Sequence, residues 1–230
     1  GLACFLRPIK VKHATIKKEL PILVLVTTVF SVLMLDRLFN PLTRNSFSRA
    51  DGIILILLFL VFVVYLVQML FHKPKEEEPQ ILFHPLVSLL FLAVSIVVII
   101  FSSDLIVTSA KNIAYSLNIS EKIITMFAVV IGTSLPEMVM TVSSARKGEF
   151  DIAIGNIIGT NIFNICIVLG LPTVIYGDVL LTGFGFVDIL AVFLSSFLLF
   201  LFARSERTLS KKEGIIMLLV FLAYYIYCLL

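Results

Sequence analysis

The sequence predicts an all-α polytopic membrane protein with about seven transmembrane helices. Three observations carry that expectation. Of its 230 residues, 60% are hydrophobic and 14% charged, with a mean hydropathy of +1.10, whereas about a quarter of the residues in a soluble domain are charged. The apolar residues fall in runs about as long as a bilayer-spanning helix, roughly 17 to 25 residues. Short polar connections separate the runs, and their Lys and Arg residues are divided unevenly between the two alternating sides.

The runs cover about 20–36, 52–71, 81–105, 123–145, 152–175, 186–203 and 214–230. Ahead of the first lies RPIKVKHATIKKE, a basic amphiphilic connection suited to anionic headgroups. The first run is short and carries Pro21; Pro41 then breaks the polar connection from Asp36 to Asp51. SRADG opens the second run, and HKPKEEEP follows it, too short for a folded domain. The third run ends at Ser102, Ser103 and Asp104, where Asp104 reads as an interfacial cap.

If residues before the first run face the cytoplasm, loops on that side hold 13 of the 18 basic residues, from Arg7 to Lys212. The other side has Arg37, Arg44, Arg49, Lys111 and Lys122. The positive-inside rule therefore predicts a cytoplasmic N-terminus and an outside C-terminus. Cys4, Cys166 and Cys228 form neither a disulfide framework nor a metal-type spacing, and His13, His72 and His84 form no ligand cluster.

An internal repeat joins the second run to the last. Residues 48–67, SRADGIILILLFLVFVVYLV, align without gaps on 210–229, SKKEGIIMLLVFLAYYIYCL, with eight identities in 20 that include Ser48/Ser210, Gly52/Gly214 and Tyr65/Tyr227. The two segments enter the membrane from opposite faces, so the units they belong to are inverted, as in many secondary transporters. The expected organisation is the last two helices of an incomplete first repeat unit at 1–71, a short cytoplasmic linker at 72–80, and a complete five-helix second unit at 81–230. Gly1-Leu2 resembles Gly170-Leu171, as though the chain began where the first copy of a central motif would have ended.

That motif occupies 131–171. Two apolar segments are interrupted there, one by Gly132, Thr133, Ser134, Pro136 and Glu137, the other by Gly155, Gly159, Thr160, Asn161 and Asn164. A carboxylate inside a membrane segment costs roughly 2.5 to 3.5 kcal/mol on insertion scales and marks a functional position. Glu137 lies nine residues before Arg146, roughly 13 Å along a helix, and Asn164 lies 13 residues after Asp151, roughly 20 Å along its own. Thr133 and Glu137 are four apart, as are Thr160 and Asn164, so each pair shares a helix face. With Ser134 they form an all-oxygen donor set, the kind hard cations such as Ca²⁺ prefer. Gly132 and Pro136 weaken the helix locally, and the carbonyl of Val130 is a further candidate oxygen. The GxxxG of Gly155 and Gly159 reads as helix packing, and Asn156, Thr160 and Asn161 also suit interhelical hydrogen bonds. Glu149 and Asp151 read as solvated helix-start residues.

GTSLPE at 132–137, followed by KGEFDIAIGNIIGTNIFN at 147–164, resembles the alpha repeat of the cation/calcium exchanger superfamily, sodium/calcium exchanger type. The resemblance implies a ten-helix inverted-repeat fold of which this chain is the C-terminal portion, carrying the second alpha repeat and lacking the first. It implies a secondary active antiporter that exchanges Ca²⁺ against Na⁺ by alternating access at a midplane site, with H⁺ or K⁺ as other counter-ions to test. Glu137, Asn164, Thr133, Ser134 and Thr160 would then ligate the transported cation. Thr160 stands where Ser is commoner, and Asn164 where some members have Asp, which removes one charge. Neither HExxH nor a paired-aspartate or Ser/His arrangement is present, so no enzyme activity is expected, nor any cofactor. The expected partners are Ca²⁺, monovalent cations and the bilayer, in the plasma (inner) membrane, and not nucleic acid. The alternative is a non-transporting fragment or subunit that needs a second chain or segment to supply the first alpha repeat.

Overall fold

A computed structural model describes residues 1–35, 46–71, 84–116, 121–180 and 185–229. The helices are α1 (Leu2–Leu6), α2 (Leu20–Leu33), α3 (Arg49–Phe71), α4 (Pro85–Ser116), α5 (Glu121–Lys147), α6 (Phe150–Phe163), α7 (Gly170–Tyr176), α8 (Phe186–Glu206) and α9 (Lys211–Leu229). Two π-helical stretches, Thr15–Glu19 and Asn164–Leu169, lead into α2 and join α6 to α7. The described residues also hold four two-residue strands: β1 (Ile9–Lys10), β2 (Ser46–Phe47), β3 (Val179–Leu180) and β4 (Thr208–Leu209).

Within the described residues each of the seven expected runs coincides with a helix or a helical stretch. Among the described residues four helical stretches are long and apolar enough to cross a membrane: Arg49–Phe71, Pro85–Ile113, Phe150–Tyr176 and Phe186–Glu206. Asp104 is not a cap. The apolar residues Leu105, Ile106 and Val107 continue the helix beyond it, and α4 ends at Ser116. The linker expected at 72–80 lies outside the described residues.

The chain divides into two compact bodies, one of residues 1–72 with 141–228 and one of 73–140. The core of the first contains Ile9, Leu20, Leu23, Val26, Leu55, Ile158, Ile162, Cys166 and Leu209, all shut off from solvent. Helix α3 buries Gly52, Leu55 and Phe62 and turns Leu57, Leu60 and Val61 outward. A helix apolar on every side has its outer face in lipid. Helix α2 packs on α8, where Thr27 Oγ1 donates to the Leu23 carbonyl at 2.7 Å and lies 3.1 Å from Ser196 Oγ. Both hydroxyls are buried, so the pair satisfies polar atoms that lipid could not.

The same local geometry occurs twice in this body. Ser48 and Asp51 cap α3 reciprocally: Ser48 N and Oγ both donate to Asp51 Oδ2, at 2.8 and 2.7 Å. Ser210 and Glu213 do the same for α9, at 2.7 and 2.8 Å. Strand β1 pairs antiparallel with β4, Ile9 opposite Leu209, and β2 with β3, Phe47 opposite Val179. Each strand that follows a short helix thus meets the strand that precedes the other long one. At the seams glycine faces glycine. A methyl on Gly52 would lie 2.8 Å from the Gly170 carbonyl oxygen, and one on Gly214 would lie 2.9 Å from that of Gly1.

In the second body, α4 and the adjoining part of α5 meet at Gly132, where a methyl would run into Val107. Gly132 therefore permits a close helix approach, and α5 runs unbroken past it and past Pro136.

Candidate cation site

Helix α5 carries Thr133, Ser134 and Glu137 in the second body; Thr160 and Asn164 belong to the first, on α6 and at the start of the π-helical stretch. Glu137 is half-buried with its Oε2 atom out of reach of solvent, and Ser134 is exposed. The side chains of Val130 and Thr133 lie outside what the structure describes, although their backbone is helical. Pro136 has no N–H, so the helix leaves the Gly132 carbonyl, four residues back, without its usual donor. Gly132 thus joins Val130 as a candidate backbone oxygen.

The interruption that the sequence suggested in both segments occurs in one. Around Pro136 the α-helix persists, while at Asn164 the register widens into a π-helix that runs to Leu169. Such local widening is frequent at functional sites because it frees carbonyl oxygens and re-aims side chains. Ile165 and Cys166 anchor the widened turn in the core; Asn164 is exposed and Thr160 half-buried.

Asn156 makes the interhelical hydrogen bond that the sequence suggested, with a partner, Thr141, that was not legible in advance: Asn156 Nδ2 donates to Thr141 Oγ1 at 2.9 Å, tying α6 to the last part of α5. Thr141 is buried and comes four residues after Glu137; Asn156 comes four before Thr160 and eight before Asn164. This bond sets how the end of α5 lies along α6, one turn from the acid on one helix and one turn from a hydroxyl on the other. The available signal was the four-residue spacing from Glu137 to Thr141. Asn161, by contrast, bonds within its own helix, Nδ2 to the Ile157 carbonyl at 2.8 Å. Among the described residues no atom lies within 4 Å of a methyl placed on Gly155 or Gly159.

The loop between α5 and α6 is held by charge. Arg7 Nη1 donates to the Arg146 carbonyl at 2.6 Å and its guanidinium lies 5.4 Å from the centre of the Phe150 ring. Lys12 and Asp151 form an exposed ion pair at 2.7 Å, so Asp151 is a paired helix-start residue.

The family model for sodium/calcium exchanger protein matches residues 1–68 and 87–230. The chain belongs to the sodium/calcium exchanger family. Among relatives of this exchanger family, it is 33% identical to the putative antiporter CaxA of Alkalimonas amylolytica, over 97% of this chain and 71% of CaxA. It is 34% identical to the inner membrane protein YrbG of Escherichia coli, over 76% of this chain and 54% of that protein. The chain therefore spans about half to about 70% of the length of these relatives. The solved sodium-calcium exchanger NCX_Mj superposes with a TM-score of 0.78 at 26% identity, over 96% of this chain and 69% of that one. The architecture is the exchanger fold of a helical membrane protein, in a family of transporters and not of enzymes.

Proposed function

We propose that this chain supplies a cation-binding half-shell of a secondary antiporter that exchanges Ca²⁺ against Na⁺. The observation that carries the reading is Glu137, a carboxylate within α5 of an exchanger fold with one oxygen shielded from solvent. Ser134 and Thr133 bring hydroxyls from the same helix, Thr160 and Asn164 bring oxygens beside a widened turn, and Val130 or Gly132 adds a carbonyl. Ca²⁺ and Na⁺ compete for Glu137, and the site crosses the membrane loaded with one or the other. The doubled capping boxes, glycine seams and strand pairs support two inverted repeat units in this arrangement. Residues 1–71 fall in the first and 81–230 in the second. The proposed setting is the plasma (inner) membrane, with the N-terminal side cytoplasmic.

The test is Na⁺-gradient-driven Ca²⁺ uptake into vesicles bearing the full protein, with K⁺ and H⁺ gradients as parallel arms. Glu137→Gln abolishes uptake while Asp151→Asn retains it; unimpaired uptake by Glu137→Gln sinks the assignment. A second reading is favoured by charge. Glu137 gives a divalent ion one formal negative charge, and the other four candidates give none, so oxygens from another segment or a second chain would complete the shell. Ca²⁺ uptake by the purified 230-residue chain alone counts decisively against that reading.

A further inference from the structure

A second feature lies where α2 begins and α8 ends, and none of its lining residues is among those proposed to hold the cation. A cavity of about 450 Å³ opens between the π-helical entry to α2 and the last turns of α8. Its floor is apolar, made of Ile16, Pro21 and Phe200; its rim is basic, made of His13, Lys17, Arg204 and Arg207. The volume is within the roughly 300 to 1,000 Å³ typical of small-molecule sites.

The walls are fixed in place. Strand β1 pairs with β4 immediately beside the cavity, and Val11 N donates to the Arg207 carbonyl at 2.8 Å. Arg207 itself adopts a left-handed conformation, φ 56°, that turns the chain from α8 into β4. Among the described residues Lys17, Arg204 and Arg207 enter no salt bridge, whereas nearby Lys12 is engaged by Asp151. Among the described residues, two carboxylates close by in sequence lie outside the lining: Glu19 accepts from Tyr65 Oη at 3.2 Å, and Glu206 is exposed.

The level in the membrane is also defined. Arg204 stands in the last turn of a helix able to span the bilayer, Phe186–Glu206, and Pro21 in the first turn of α2. The cavity is thus at the boundary where apolar spans give way to basic loops. Phe200 and Pro21 remain partly accessible, a surface that suits an acyl chain. Basic pockets between spanning helices at this level recognise anionic headgroups.

We propose that this cavity binds one anionic phospholipid, its phosphate among Lys17, Arg204 and Arg207 and the start of its acyl chain on Pro21 and Phe200. The site pins the α2–α8 pair at the membrane boundary. It stands independently of the cation reading.

The test uses the 230-residue chain, delipidated in detergent, with lipid binding followed by native mass spectrometry and by thermal unfolding. The probes are phosphatidylglycerol, phosphatidylcholine and inorganic phosphate. Phosphatidylglycerol binds saturably as a single molecule and raises the unfolding temperature; phosphatidylcholine and inorganic phosphate at equal concentration do neither. The double variant Lys17→Gln/Arg204→Gln weakens phosphatidylglycerol binding about 30-fold, from about 1 kcal/mol for each of two interfacial charges at 1.4 kcal/mol per decade. Lys211→Gln/Lys212→Gln, which removes as much charge from outside the lining, retains wild-type affinity. The double variant's unfolding temperature without lipid matches wild type, which shows that it folds. Equal binding of phosphatidylcholine, equal binding of inorganic phosphate, or equal losses in the two double variants would each overturn the proposal.

Discussion

Replacing Gly52 by Val tests the glycine seam directly. A β-carbon there would lie 2.8 Å from the Gly170 carbonyl oxygen and 2.8 Å from Val174 Cγ2, where ordinary contact begins at 3.4 Å. Each contact falls about 0.6 Å short, and the one with the Gly170 carbonyl is against backbone that a rotamer change cannot move. Overpacking of this kind costs about 1–3 kcal/mol, and the two γ-carbons of Val put the expected loss at about 2–3 kcal/mol. Helix propensity offsets under about 0.5 kcal/mol of this, since Val is a poor helix former. The same replacement at Gly155, where no atom of the described residues lies within 4 Å, leaves stability within about 0.5 kcal/mol. Both variants of the 230-residue chain are unfolded in mixed micelles of increasing SDS fraction and followed by circular dichroism. If Gly52→Val unfolds at the same SDS fraction as Gly155→Val, the seam does not carry the packing assigned to it.

Ser48→Ala and Ser210→Ala each remove one half of a reciprocal cap and each lower stability by about 1 kcal/mol in the same SDS titration. A double-mutant cycle of Asn156→Leu and Thr141→Val yields a coupling of about 0.6 kcal/mol, and no more than about 1.7, as for other interhelical hydrogen bonds in membranes. Asp151→Asn changes stability by less than about 0.5 kcal/mol, because its side chain and that of Lys12 are 55% and 65% exposed. A larger loss would mean that the loop after α5 depends on this pair and not on Arg7.

The helices were legible because membrane burial writes itself into composition: a span must be long and apolar, and Lys and Arg must stay out of it. Positions of Leu57, Leu60 and Val61 on α3, all facing outward, show why periodicity added little. In lipid the outer face is as apolar as the inner, so the buried stripe of Gly52, Leu55 and Phe62 leaves no hydrophobic contrast. Asp104 misled for the opposite reason. Polar residues, Ser102, Ser103 and Asp104, at the end of a 25-residue apolar run resemble an interface, yet the apolar residues after them extend α4 to Ser116. The capping boxes were latent in the repeat, where Ser48 and Ser210 match and an acid follows three residues later in both copies. The short strands carried no signal, since two residues are too few to show alternation.

Small residues tell a more specific lesson about the site. GxxxG at Gly155 and Gly159 reads as a packing motif, and among the described residues the close approaches occur at Gly52 with Gly170, Gly1 with Gly214, and Gly132 with Val107. A glycine announces that something can come near; which partner does so depends on topology that one helix cannot encode. The same holds for the interruption of the two central segments. Pro136 is the stronger helix breaker by propensity, yet α5 continues through it, because a proline removes one hydrogen bond that neighbouring turns can tolerate. The register instead opens at Asn164, where Ile165 and Cys166 are buried and Gly170 must reach Gly52. Widening the turn between those fixed points satisfies both. Asn164 therefore stands at the mouth of the widened turn as a consequence of core packing further along the chain, and its spacing from Thr160 alone could not have shown it.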